Sequence, residues 1–402
     1  MKCPRKPSWP FCLWAMRKNK PEEVQGLYLH IPFCVRKCHY CDFNSRACSS
    51  AERSRYLKAL NREIGILGTQ ETGTHLSSVY IGGGTPSLLS PGELAELLDT
   101  VSRGFSLQDE AEITVEVNPG TVDYLWFHSV RDLGISRISL GVQSFVDGEL
   151  AGLGRIHRGN DATDAVMAAY RAGLENISLD LMQGIPGQTE ISFAGSLRRA
   201  VDLPIRHLSC YELKVEEGTL FHGMQQRGTL NLPGEEELSA MDRVRREILQ
   251  SAGFERYEIS NYAREGHRSR HNLLYWKNLP YLGAGTGACS RTGNLRRTNT
   301  TEMGKYLESL EQGTLPPAHL EPISEEMSFE ETVFLGLRLL EGLDFSVVDQ
   351  RYGIDFMKRY NEEAGRFLEY GLLERTPRGI RLTERGLDMG NQVMAALIRQ
   401  EG

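Results

Sequence analysis

The fold is decided by residues 26–41, GLYLHIPFCVRKCHYC, in which a short β-rich run, Leu27–Ile31, leads into a loop carrying Cys34, Cys38 and Cys41. Three thiolates in C-x3-C-x2-C spacing can all turn inward on one loop and hold a soft metal centre. They are one ligand short of closing a tetrahedral zinc site or a four-thiolate cluster. A [4Fe–4S] cluster held this way keeps one iron available to a small molecule. The alternative is a structural zinc site completed by His39, His30 or Cys48. The position just beyond a strand, at the mouth of an expected barrel, favours the open cluster.

Outward from this stretch a strand-then-helix rhythm sets in. Further strands are expected at Ser78–Ile81, Glu112–Val117, Arg137–Leu140, Ile177–Leu181 and His207–Leu213. Helical spacing lies between them, for example over Ser50–Leu67, Ser90–Ser102 and Asn160–Ala172, with Ser90-Pro91 as an N-cap and N1 pair. Strands alternating with helices imply parallel pairing through right-handed crossovers. Six such units by about residue 250 are two short of a complete eight-fold barrel. The expected fold class is therefore α/β, with a partial (β/α)6 TIM-like barrel over residues 26–255.

Residues 256–325 are rich in Gly, Asn, aromatic and basic residues, have weak periodicity, and read as a connecting segment packed on the barrel. Over residues 326–402 helices are expected at Phe329–Leu340, Phe345–Tyr352 and Phe356–Tyr370. Two short strands about a Pro-Arg-Gly turn follow in Gly371–Gly386, then a last helix, Leu387–Ile398. This order describes a C-terminal helical, winged-helix-like domain. Arg375, Arg378, Arg381 and Arg385 lie on or beside the wing, but Glu374, Glu384 and Asp388 are interleaved. A cap over the barrel mouth or a partner-docking surface fits better than a DNA reader. Residues 1–25, basic and broken by prolines, read as a flexible leader in which Met16 is an alternative start.

Composition bounds the function. The 402 residues carry 46 basic and 53 acidic side chains, a net charge of −7, with 25% charged and 40% hydrophobic residues. That is an ordinary globular balance, which excludes disorder and a disulfide-dense mini-protein and gives no support for a nucleic-acid partner. Six of the eight cysteines precede residue 50, whereas a disulfide framework would spread across the chain. No run approaches the roughly 18–20 apolar residues of a membrane span, and no convincing secretory signal is present. A cytoplasmic metalloprotein is expected, either monomer or dimer, with peripheral membrane contact left open. Cys210 and Cys289 read as packing residues.

Polar residues recur at successive strand ends. Gly82-Gly83-Gly84-Thr85-Pro86 follows the second strand, Glu116 ends the third, Gln143 ends the fourth with Arg155 twelve residues on, and Asp180 sits in the fifth. Singly, each reads as a solvated or buried strand-end polar group. Together they are better explained by one ligand at the barrel's C-terminal mouth.

YLHIPFC at 28–34 followed by C-x3-C-x2-C resembles the radical S-adenosylmethionine superfamily. Within it the chain is similar, over about residues 27–395, to the group containing oxygen-independent coproporphyrinogen III dehydrogenase and the haem chaperones. The resemblance implies Cys34, Cys38 and Cys41 as ligands of a [4Fe–4S] cluster whose unique iron chelates the amino and carboxylate groups of S-adenosylmethionine (SAM). It implies that the reduced cluster donates one electron to the sulfonium and releases a 5′-deoxyadenosyl radical. It also implies Tyr28, Tyr40, Gly83, Gly84, Thr85, Glu116, Gln143, Arg155 and Asp180 as SAM-binding residues. Glu116 would meet the ammonium, Arg155 the carboxylate, Gln143 and Asp180 the ribose, and Tyr40 the adenine.

Two departures bear on the dehydrogenase reading. That enzyme has a further cysteine where this chain has Phe43, and it has a longer N-terminal extension than the 27 residues preceding Tyr28. His271-Asn272-Leu-Leu-Tyr275-Trp276 instead matches the HNxxYW signature of the haem chaperones. An imidazole beside aromatics can supply an axial ligand and stacking surface for haem, or can simply dock the connecting segment. His267 is a second candidate for the iron. The expectation is a chaperone that binds haem and passes it to haem-requiring, respiratory apoproteins. The alternative is oxidative decarboxylation of coproporphyrinogen III propionates.

Overall fold

The computed structural model describes residues 23–398. The expected leader lies outside the described residues up to residue 22, as does the question of Met16. Its last residues already belong to the fold: Val24 is buried and Gln25 N–H donates to Pro280 O at 3.0 Å.

Six parallel strands form where the sequence places them: β1 (Gly26–Ile31), β2 (His75–Gly83), β3 (Ser106–Val117), β4 (Arg137–Gln143), β5 (Asn176–Gln183) and β6 (His207–Glu212). Between them run α1 (Ser50–Gln70), α2 (Pro91–Gly104), α3 (Tyr124–Asp132), α4 (Asp147–Gly152), α5 (Gly159–Arg171) and α6 (Glu190–Val201). Ser90 caps α2 as expected, its hydroxyl accepting from Glu93 N–H and Glu93 reaching back to Ser90 N–H. The register sorts the strand side chains into two faces. Leu27, Val79, Ile113 and, one step on, Val115, Ile138 and Ile177 share one face and pack beneath the helices in a continuous core. Tyr28 and Tyr80 align on the opposite face, as do Glu116, Ser139 and Ser178, and likewise Gly141, Asp180 and Ser209. The inner face is polar, so the barrel is built to hold something other than an oily plug.

The connecting segment differs from expectation, because it adds strands to both edges of the sheet. After α7 (Leu220–Gln226) and α8 (Glu235–Ser251), β7 (Glu255–Arg256) and β8 (Asn261–Ala263) pair beyond β6. After α9 (Arg270–Trp276), β9 (Tyr281–Ala284) runs parallel to β1 on the other edge. The strands β10 (Cys289–Thr292), β11 (Leu295–Asn299) and β12 (Ala318–Pro322) follow antiparallel. The order is β12-β11-β10-β9-β1-β2-β3-β4-β5-β6-β8-β7, an open sheet. Strands of two to five residues are too short to show an alternation. A buried carboxylate fastens the new edge: Glu63 of α1 accepts from Gly285 N (2.8 Å), Asn299 Nδ2 (2.6 Å) and Tyr306 Oη (2.7 Å).

The C-terminal residues have their own core around Phe329, Val333, Phe356, Tyr360 and Ile380. The strand pair Leu373–Arg375 and Gly379–Leu382 is joined by Leu343–Asp344 in a three-stranded sheet. Two expected helices are broken. Phe356–Tyr370 divides at Tyr360 (φ −112°, ψ 31°) and the last helix at Met389 (φ −110°, ψ 17°). The Glu258–Leu339 bridge and the Arg246–Asp388 ion pair (3.4 Å) fasten this part to the barrel.

Candidate cofactor site

A cavity of about 880 Å³ opens at the C-terminal ends of the strands. Cys34, Cys38 and Cys41 line it, and none is in a disulfide. Their loop is braced on both sides. Cys34 N–H donates to Arg46 O (3.0 Å), and His39 N–H and Nδ1 donate to Leu153 O and Gly152 O (3.0 and 2.9 Å). Arg36 reaches Gly154 O through Nε and Nη2. The ligands proposed for a zinc site are elsewhere. His30 Nε2 donates to Asn44 O (2.9 Å), which leaves Nδ1 to accept from Tyr28 Oη (3.0 Å). Cys48 packs on the core, and His39 lines a smaller groove behind the loop.

The thiols face hydrogen-bond donors. Thr85 Oγ1 lies 3.5 Å from Cys34 Sγ, and Arg155 Nη1 lies 3.6 Å from Cys38 Sγ. Arg155 also donates to Gly141 O, and its buried Nε has no partner among the described residues. Tyr40, Gly83, Gly84, Glu116, Gln143 and Asp180 line the same cavity. Glu116 accepts from Tyr80 Oη (2.8 Å) and Gly83 N–H (3.0 Å), and burial, with Asp180 nearby, pushes its carboxyl up to about 7. Burial raises Asp180 also, against hydrogen bonds from Ser209 and Ser139. Gln143 sits at φ 68°, in the left-handed region, where β4 bulges, and accepts from Tyr211 Oη (2.7 Å). A non-glycine residue held there carries local strain of the kind found beside ligands.

The glycine turn does more than clear space for a ligand. Gly83 has φ +115°, and a Cβ there would stand 2.6 Å from the His30 ring. A Cβ on Gly84 would meet Phe33 O at 2.6 Å. The turn is thus the surface on which the cysteine loop rests. Tyr28 lies one layer below the cavity, stacked on Tyr80 at 6.2 Å between centroids.

His271 is not brought to the cavity. It is buried on α9, whose start is capped by Ser269 and by Glu112, the latter accepting from Arg270 N–H at 3.0 Å. Both imidazole nitrogens are engaged: Nδ1 with Ser78 Oγ (2.8 Å) and Nε2 with Tyr275 Oη (2.9 Å), while Tyr80 stacks on the ring at 5.2 Å. Burial lowers its pKa to about 3, so it is neutral. In this arrangement neither nitrogen is free for iron, contrary to the axial-ligand expectation. The neighbouring Asn272 does line the cavity, whereas His267 does not.

The donor set fits an iron–sulfur cluster with one open iron. Three sulfurs face one cavity, donors stand beside two of them, and carboxylates and a guanidinium lie further along the same wall. Sequence reasoning missed Tyr80, Ser139, Ser209 and Tyr211, which the alternation of inward positions on β2, β4 and β6 would have exposed. It also missed Leu387–Gln392, which forms part of the cavity wall from the C-terminal side. No local signal marks that segment.

Comparison with known proteins agrees with this architecture. The radical SAM superfamily pattern matches residues 28–200, and the HemN C-terminal domain matches residues 323–389. The chain is 35% identical over 377 residues to the haem chaperone HemW of Bacillus subtilis, covering 93% of this chain and 99% of that one. It is 41% identical over 331 residues to HemW of a Synechocystis species, covering 79% of each. Its fold matches coproporphyrinogen III oxidase (HemN) from Escherichia coli with a TM-score of 0.82 at 23% identity, over 95% of this chain and 91% of that one. The chain belongs to the HemW family of haem chaperones within the radical SAM superfamily.

Proposed function

We propose that this chain binds a [4Fe–4S] cluster, SAM and haem, and hands the haem to haem-requiring apoproteins. The observation that carries this reading is a single cavity with three unbridged thiols and half-buried Glu116, Arg155 and Asp180 along its wall, in a chain that matches HemW of Bacillus subtilis almost end to end. Cys34, Cys38 and Cys41 would hold the cluster, which supplies an open iron and a one-electron couple when bound. Thr85 and Arg155 stand beside two of the sulfurs, those of Cys34 and Cys38. Glu116 receives the methionyl ammonium, and Arg155 the carboxylate. Gln143 and Asp180 take ribose hydroxyls, Tyr40 flanks adenine, and Tyr28 supports Tyr80 from below. Gly83 and Gly84 offer backbone to the ligand while seating the cysteine loop.

In this reading residues 26–255 hold the cofactors, 256–325 extend the sheet and carry the HNxxYW motif, and the C-terminal domain (326–402) closes the cavity through Leu387–Gln392. Recipients are respiratory haem proteins, met in the cytoplasm or at a membrane surface. Among the described residues no helix is long and apolar enough to cross a membrane. At position 43 stands Phe, 57% exposed at the cavity rim, where the decarboxylating enzyme would have a cysteine.

The test is anaerobic reconstitution followed by three measurements: iron and sulfide content, haem titration, and haem transfer to an apo-haem-protein. Cluster-dependent transfer is expected. Coproporphyrinogen III turnover with SAM would sink the chaperone reading in favour of the enzyme.

A further inference from the structure

We infer that Arg338 and Arg256 form a carboxylate site in the outer part of the cavity, and that this site holds the propionates of the haem cargo. The inference rests on the chaperone reading and deepens it. The helix α10 (Met303–Glu311) is followed by α11 (Glu325–Arg338), which ends at Arg338. The Glu258–Leu339 bridge and the Leu340 N–H···O Tyr257 bond (3.0 Å) place that end against residues 257–259. Antiparallel register puts Arg338 beside Ile259, whose carbonyl accepts from Arg256 Nε (3.1 Å) and Nη2. Both arginines line the cavity, with Asn272.

The electrostatics of the two guanidinium groups set them apart from the other cations here. Arg245, also on the cavity, is already paired with Asp242 at 2.6 Å and bonded to Gln183. Arg338 and Arg256 have no carboxylate in ion-pair contact among the described residues. Arg338 Nε is buried without a hydrogen-bond partner, and the group stacks over Trp276 at 4.6 Å. The acid acting on it, Glu258, is itself buried: its Oε1 accepts from Ser260 N–H (2.9 Å), its Oε2 has no hydrogen-bond partner among the described residues, and it makes no ion-pair contact with Arg338. Burial lowers the pKa of both guanidiniums against the pull of Glu258 on each and of Asp242 on Arg256, which marks cations held partly out of water with incomplete compensation. Half-buried cations without an ion-pair partner, one of them with an unpaired Nε, are explained by a ligand that supplies the anion. A planar guanidinium suits a carboxylate in bidentate contact, and haem presents two carboxylates on one edge.

The HNxxYW motif then has a division of labour. His271 and Tyr275 lock α9 in place, Trp276 is the platform beneath Arg338, and Asn272 faces the cavity. The motif serves haem through its carboxylate edge and not through the iron.

The test titrates the cluster-reconstituted full chain with haem and with haem dimethyl ester, following the Soret band. The wild type is expected to prefer haem over the diester by about tenfold or more. Arg338→Gln and Arg256→Gln should each weaken haem binding by a similar factor and abolish the preference, with iron content unchanged. Arg338→Lys should restore part of it. Equal wild-type affinity for haem and diester overturns the inference and leaves the chaperone reading standing, and so does unchanged haem affinity in both Gln variants. If a variant fails to fold, the wild-type comparison still decides. Absence of any haem binding by the wild type defeats the chaperone reading itself, and the inference with it.

Discussion

Replacing His271 by alanine separates a sealing role from iron ligation. The substitution removes both hydrogen bonds of the ring and strands Ser78 Oγ and Tyr275 Oη in the interior. Each unsatisfied buried group costs about 1–3 kcal/mol, and losing the Tyr80 stacking adds about 0.5–1.5 kcal/mol. A loss of about 2.5–7.5 kcal/mol follows. Over 402 residues the unfolding entropy is about 0.8 kcal/mol per kelvin, so the thermal midpoint should fall by about 3–9 °C. The effect carries a pH signature. Native His271 titrates near 3, whereas an unfolded imidazole titrates near 6.5. Between those values the unfolded chain binds the extra proton, so wild-type stability falls as the pH drops, while the alanine variant lacks this term. At pH 5 the gap between them should have narrowed by about 2 kcal/mol. Circular dichroism melts from pH 5 to 8, run anaerobically beside haem titrations, measure both effects. A tenfold loss of haem affinity with an unchanged midpoint would refute the argument and restore His271 as an iron ligand.

Cys34→Ser, Cys38→Ser or Cys41→Ser should each abolish stable iron and sulfide incorporation, measured per chain, while the apo-protein melts within about 1 °C of wild type, because these thiols are only half-buried and contribute little packing. Gly83→Ala forces a Cβ to within 2.6 Å of the His30 ring at φ +115°, so a loss of about 1–3 kcal/mol should appear in the urea midpoint. An unchanged midpoint contradicts that packing. Glu63→Ala leaves three donors without their acceptor and should cost about 3–9 kcal/mol. Hydrogen exchange should show residues 281–311 opening before the central strands, and uniform exchange would oppose this placement of the weak point.

Much of the barrel was legible because its strands carry an apolar outer face long enough to read, as in Ile138–Leu140 and Ile177–Leu181, and its helices open with explicit caps such as Ser90-Pro91. The cluster loop was legible because three cysteines in seven residues have few other uses. The strand-end polar residues converge because parallel strands all end at one rim. What escaped was long-range. Nothing near β9 signals that four residues will pair beside β1, and nothing near Glu63 announces donors from residues 285, 299 and 306. His271 was misplaced for a related reason. A motif states which residues travel together on a helix but not which way that helix faces, and here the imidazole turns to Ser78 while Asn272 turns to the cavity.

The pairing of β1 with β9 has a consequence for synthesis. One side of Gly26–Ile31 stays without its parallel neighbour until Tyr281–Ala284 has been made, roughly 250 residues later. At about 5–20 residues per second that interval is on the order of 10–50 s. During it the nascent chain presents an open, apolar strand edge of the kind that templates aggregation, immediately before the loop that must capture iron. Cluster insertion on the ribosome would therefore take place on an unfinished barrel, whereas insertion after release would meet a braced loop.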